Sequence, residues 1–221
     1  QNYNMSMQEF KVIFWWEWAH RFLGRLIGIG FLIPLIYFST KIKISKLLNL
    51  YFIFFLICFQ GFIGWYMVSS GLVNRIDVSH FRLSVHLFIA FLILSLIFWN
   101  YLKINKDIHI SNKLDVKIPL IFLILIFSQI IIGAFVSGMD AGKIYNSWPF
   151  MGNTFFPDDN RFSNLLKLSA FSDPSLVQFI HRCLAYIIGC FYLYILYKIY
   201  KNKIYDLYKP INILGLFIFL Q

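Results

Sequence analysis

Paired cysteines are missing from this chain. Cys58, Cys183 and Cys190 are its only three, all lie inside apolar stretches, and their spacing fits neither a zinc site nor a disulfide framework. They read as packing residues. Acidic residues are almost as scarce, 10 of 221 against 20 Lys and Arg, and charged residues of both signs make up only 14%. So little charge excludes an ordinary water-soluble domain. No secretory signal is visible in the given sequence, since residues 1–10 are polar and lack a basic flank followed by an apolar core. The net charge of +10 hints at nucleic acid, yet in so apolar a chain its distribution over loops is the informative quantity. Nucleic-acid binding is not supported.

Apolar residues fill the space instead. They make up 59% of the chain, with 26 Phe. They gather in runs close to the roughly 20 residues that carry an α-helix across a hydrocarbon core of about 30 Å. The pattern predicts spans over Phe22 to Phe38, Leu48 to Val68, Leu83 to Leu102, Ile118 to Ser137 and Leu176 to Ile199, with a sixth run from Ile211 to Gln221. The expected class is all-α, a polytopic membrane protein lodged in a lipid bilayer. The first residue is not Met and the last lies within an apolar run, so the sequence reads as a piece of a longer chain.

Lysines orient these spans. Lys41, Lys43 and Lys46, then Lys103, Lys106, Lys113 and Lys117, then Lys198, Lys201, Lys203 and Lys209 all fall in connections on one side. By the positive-inside rule that side faces the cytoplasm or matrix, which puts Gln1 outside and calls for an odd number of preceding spans, most simply one. The opposite side holds every Arg.

Against this background three histidines stand out. His20, His86 and His181 each sit in the first turns of a span, all at the outer end. A titratable ring in hydrocarbon is costly and marks a functional-site candidate by default. Three within about two turns of depth point to haem, whose iron is clamped by facing imidazoles while an apolar wall shields the macrocycle. His20 and His86 form the natural pair, and His181 has no partner in this sequence. The competing reading for any one of them is a histidine hydrogen-bonded between helices. His80, off the helical face of His86, reads as a loop or interface residue, and His109 as a solvated one. Arg21, Arg25, Arg75, Arg82 and Arg182 lie near a histidine or an outer span end, where they either pair with haem propionates or snorkel to the interface.

An internal repeat supports a two-part design. His20-Arg21-Phe22-Leu23-Gly24-Arg25-Leu26-Ile27-Gly28 and His181-Arg182-Cys183-Leu184-Ala185-Tyr186-Ile187-Ile188-Gly189 share His, Arg, Leu, Ile and Gly at the same five offsets. A weaker echo relates Gln60, Ile63 and Gly64 to Gln129, Ile132 and Gly133, where a small residue lets helices approach closely. Glu17 precedes His20 by three residues, so a helix extended outward puts both on one face. The carboxylate then either moves protons for a bound substrate or simply sits well near a helix N-terminus. Residues 138–174 form a long outer loop whose Asn146-Ser147-Trp148-Pro149-Phe150-Met151 stretch reads equally as a lid or as interfacial packing.

Glu17-Trp18-Ala19-His20-Arg21 with Gly24-Arg25, Gly64-Trp65-Tyr66-Met67-Val68-Ser69-Ser70-Gly71-Leu72, Arg82-Leu83-Ser84-Val85-His86-Leu87, Asn146 to Met151, and His181-Arg182 follow one another at the outer ends of spans. Together they resemble haem A synthase of the alphaproteobacterial and mitochondrial type, over nearly the whole chain. The resemblance implies eight transmembrane helices in two pseudosymmetric four-helix halves, here residues 1–102 without the first helix and residues 118–221 without the last. It implies oxidation of the C8 methyl of haem O to the formyl of haem A, with oxygen from water and haem b as cofactor. His20 and His86 would hold the substrate iron, with Glu17 as the catalytic acidic residue, and His181 the cofactor iron, with Arg21, Arg82 and Arg182 beside the haems. It further implies the bacterial inner membrane or mitochondrial inner membrane, haem O synthase and terminal oxidase assembly proteins as partners, and allows a homo-oligomer. The cysteine pair of some bacterial members is not seen. The rival readings are a dihaem b-type electron-transfer cytochrome, which needs neither Glu17 nor a long loop, and a transporter, which needs polar residues at mid-span.

Overall fold

The computed structural model describes residues 5–71, 78–104 and 114–220. Six helices account for most of them: α1 (Met7–Lys41), α2 (Leu48–Gly71), α3 (His80–Ile104), α4 (Lys117–Gly138), α5 (Pro174–Lys201) and α6 (Tyr208–Leu220). The first five are long and apolar enough to cross a membrane. Among the described residues the only β pairing is an isolated bridge between Met151 and Thr154. The chain is an all-α, multi-pass membrane protein. Arg75, Lys106, His109, Lys113 and Leu72 lie outside the described residues.

Helices α2 to α5 begin and end within three residues of the apolar runs that predict them. The exception is α1, which starts 15 residues before Phe22. A capping box begins it: Ser6 Oγ accepts from the Glu9 amide at 3.3 Å while the Glu9 carboxylate accepts from the Ser6 amide at 2.8 Å. The added turns hold a ladder of rings, with Phe10 on Phe14, Trp15 on Trp18, and Trp18 flat on Phe22 at 5.2 Å. Such aromatic residues favour the membrane–water boundary. At 35 residues α1 is about 52 Å long, well beyond a hydrocarbon core.

Two compact units result, residues 1–78 with 89–100 and residues 79–88 with 101–221, so the boundary falls inside α3. In the first, α1 and α2 form an antiparallel hairpin around a 3₁₀ turn at Ile44–Lys46. Phe31 stacks on Phe54 at 6.4 Å, and Ser39 Oγ meets the Tyr51 hydroxyl at 2.6 Å. In the second, α4 and α5 pack antiparallel around Ile132, Phe135 and Val177. Toward the C-terminal end of α5, Ile195, Ile199, Ile204 and Ile211 form a second core that docks α6. The start of α3 closes on the end of α4: the His80 ring meets Phe135 edge-on at 5.2 Å, and a Cβ on Gly138 would lie 2.9 Å from that of His80. His80 is therefore an interface residue at the first position of α3.

Candidate functional site

The second unit holds a histidine slot. On α4, Gln129 and Gly133 are one turn apart and so share a face. His181 of α5 lies across them. The Gln129 amide nitrogen is 3.2 Å from His181 Nε2 and 3.3 Å from its backbone oxygen. A Cβ on Gly133 would stand 3.3 Å from the ring's Cε1, so the missing side chain is what lets the imidazole lie against α4. His181 Nδ1 and Gln129 Oε1 are both buried without a hydrogen-bond partner. Each such orphan costs about 1–3 kcal/mol. An imidazole offering polar atoms inside an apolar wall is what a porphyrin iron requires, so these residues fit the group.

Beside the slot, one stripe of α5 grips the loop between α4 and α5. Gln178, Arg182 and Tyr186 recur every fourth residue and therefore line one face. Gln178, only 5% exposed, donates to the Tyr145 carbonyl at 2.9 Å and accepts from the Tyr145 amide at 3.2 Å. Arg182 donates to the carbonyls of Tyr145, Ser147 and Phe150 at 2.8, 2.9 and 3.4 Å. The Trp148 indole donates to the Tyr186 hydroxyl at 2.8 Å. Phe156 and Phe155 add edge-on contacts to Phe179. The backbone of residues 145–150 is thereby laid along the N-terminal turns of α5, where Gln178 and Arg182 satisfy its polar groups in place of water.

The loop's far side is closed by Asp158. Its carboxylate accepts from the Tyr145 hydroxyl at 2.7 Å and from the Asn153 amide at 3.3 Å. Gly152, at φ 81°, leaves that carboxylate the space a Cβ would take. The Tyr145 bond, then the Asn153 amide, hold Asp158 below the usual carboxylate range, while burial and then Asp158 push the Tyr145 phenol up. Asn160 donates to Asp173 and Ser175 to Asp159, and Asp173 caps α5 by accepting from the Leu176 amide at 3.0 Å.

Elsewhere the expected residues are distributed as follows. Glu17 and His20 share the continuous helix α1, and Glu17 forms an ion pair with Arg21 at 3.0 Å. His20 is exposed on the first unit, whereas His86 is half-buried on α3 in the second. Arg82 precedes His86 by one turn on the same helix face. The three cysteines are free thiols on α2 and α5. Sequence reasoning flagged Gln129 and Gly133 only as a helix-packing echo and passed over Gln178 and Tyr186. The fourfold spacing around Arg182 was the signal that points to them.

Comparison with known proteins agrees with these motifs. The family model of the cytochrome oxidase assembly protein family (COX15-CtaA) matches residues 1–221. The chain is 52% identical over 213 residues to the heme A synthase of Pelagibacter ubique, covering 93% of this chain and 61% of that protein. It is 44% identical over 209 residues to the heme A synthase of Rickettsia bellii strain RML369-C, covering 91% and 62%, and 45% identical over 188 residues to that of Rickettsia felis, covering 82% and 56%. The chain thus spans about three-fifths of the length of these relatives. No solved structure matches it. The chain belongs to the cytochrome oxidase assembly protein family.

Proposed function

We propose that the protein to which this chain belongs is a haem A synthase, an enzyme of the inner membrane that oxidises the C8 methyl of haem O to a formyl group. The observation that carries the reading is 52% identity to a heme A synthase across 93% of this chain. Turning a methyl into a formyl group takes up the oxygen of one water and releases four electrons and four protons. His20 and His86 hold the substrate iron and fix the methyl's position. Glu17, one turn from His20 on the same helix, accepts protons as they leave. Its pair with Arg21 is exposed and worth at most about 1 kcal/mol, so neither group is committed to the other when substrate arrives. Arg21 and Arg82 then meet the propionates through their planar forks.

His181 would hold haem b, whose redox chemistry would supply the path for the electrons. The seat that Gly133 leaves for the His181 ring, beside the core of Ile132, Phe135 and Val177, supports that placement. Arg182, fastened to three loop carbonyls, serves this haem by holding residues 145–150 beside it and keeping water out. Haem O synthase and terminal oxidase assembly proteins are the partners this chemistry calls for, one to supply the substrate and the other to use the product. The test is to express the full-length protein, extract its haems and assay conversion of haem O. Formyl haem made by the wild type and lost in His20→Ala, His86→Ala and Glu17→Gln supports the reading. Two unmodified, non-exchanging haems would identify a dihaem electron carrier instead.

A further inference from the structure

We infer that Gln129 is a positioning residue that sets the His181 ring in the tautomer whose Nε2 lone pair is available, making the imidazole ready for ligation before any iron arrives. The inference rests on His181 being a haem ligand. It starts from the carbonyl. A backbone oxygen can only accept, so the Gln129 atom 3.3 Å from the His181 oxygen is its amide nitrogen. That same nitrogen lies 3.2 Å from His181 Nε2. An N–H aimed at a ring nitrogen needs a lone pair there, so the neutral ring carries its proton on Nδ1.

Nε2 is also the ring nitrogen farther from the main chain, and an iron bound there takes up that same lone pair. A ring carrying its proton on Nε2 would first have to move it, in a slot where few groups stand ready to receive it. The Gln129 amide therefore occupies the lone pair that iron would take. It also selects the ring's orientation. Rotated by half a turn about Cβ–Cγ, the imidazole would point Cε1 at the amide and lose the bond. Gly133 assists from the same face of α4 by leaving the ring room to lie flat, with Cε1 at 3.3 Å from where a Cβ would stand. Because Gln129 belongs to α4 and His181 to α5, readiness to ligate depends on how these two helices pack.

The test uses the full-length protein in lipid nanodiscs, haem-free and labelled with ¹⁵N in its histidine rings, with His181→Ala to assign the signals. The wild type is expected to show a lone-pair nitrogen at Nε2 and a protonated nitrogen at Nδ1. In Gln129→Met, of similar size but without a donor, that pattern is expected to average or invert. A proton on Nε2 in the wild type, or a Gln129→Met spectrum identical to it, overturns the inference. In the haem-loaded protein, release of the His181-bound haem to a scavenger should be about tenfold faster in Gln129→Met, as for other residues that orient metal-binding histidines. An unchanged release rate also overturns it. Full haem content in His181→Ala would instead sink the ligand assignment, leaving the tautomer result to stand by itself.

Discussion

The hairpin of α1 and α2 and the hairpin of α4 and α5 carry the same His-Arg repeat yet are built differently. The His20 ring is exposed, Glu17 and Arg21 form an exposed pair, and a Cβ added to Gly24, one turn further on, would meet nothing within 4 Å. The His181 ring is framed by close contacts. Gln129 and Gly133 frame the ring, and Gln178, Arg182 and Tyr186 hold a loop over the adjacent turns. The repeat therefore encodes how far a histidine stands along its helix rather than what surrounds it. Counted from the helices' C-terminal ends, His20 lies 21 residues before Lys41, His86 18 before Ile104 and His181 20 before Lys201, about 27 to 32 Å along each helix.

The largest test of this contrast removes the imidazoles. Under the proposed function, His181→Ala loses the haem of the second unit and His20→Ala loses substrate binding, and both bring formation of formyl haem to background. They should differ in the haem left behind. Pyridine haemochrome analysis should find a fall in tightly held haem for His181→Ala and none for His20→Ala. Equal losses would erase the distinction between a built slot and an exposed ring.

Next in size is Arg182→Met. It withdraws a charged donor from three carbonyls and leaves the backbone at 145–150 without those partners, at a cost on the order of 3 kcal/mol of local stability. Limited proteolysis in nanodiscs should cut this loop faster, whereas Arg21→Met, whose partner is an exposed carboxylate, should leave the cleavage pattern of α1 unchanged. A loop equally resistant in Arg182→Met would mean that the aromatic contacts to Phe179 suffice to dock it.

Glycines sharpen the comparison at a smaller scale. Gly138→Ala drives a Cβ to 2.9 Å from His80 Cβ and 3.0 Å from its Cα, backbone that has nowhere to go, and should cost about 1–3 kcal/mol. Gly61→Ala meets nothing and replaces a poor helix former inside α2, so it should stabilise by up to about 1 kcal/mol. Thermal unfolding in detergent should therefore shift in opposite directions for the two.

Much of this architecture was legible in the chain, for a physical reason. A bilayer imposes one length on every span, so apolar runs fixed α2 through α5 to within three residues. The start of α1 escaped because hydropathy measures transfer into lipid, whereas Lys11 and Glu17 are good helix formers that oppose burial without opposing helix. The depth of the histidines could be read because depth follows chain position. The Gln129 contact could not, because it depends on which faces of α4 and α5 meet. The long loop stayed ambiguous between lid and packing for the same reason: its anchors, Gln178 and Tyr186, sit 33 and 38 residues from Tyr145 and Trp148.

The smallest effect concerns that loop's far-side closure and comes from pH. Asp158 is held below the usual carboxylate range by the Tyr145 hydroxyl, so the stability it lends is present above the unfolded value near 4 and is lost as pH falls through the lower folded one. Tyr145 is shifted the opposite way, by burial and then by Asp158, so its share is complete below the free phenol's value near 10 and declines only as pH rises beyond it. Between these limits the closure should be insensitive to pH. Hydrogen exchange of amides 152–158 should then quicken below about pH 4, after correction for intrinsic rates, and stay level from there to about pH 9. Tyr145→Phe keeps the ring but removes the donor, so it should shrink the acid step to what the Asn153 amide sustains, while leaving Gln178 and Arg182 bound to the same backbone. An acid step undiminished in Tyr145→Phe would show that the bond between Tyr145 and Asp158 does not hold this closure.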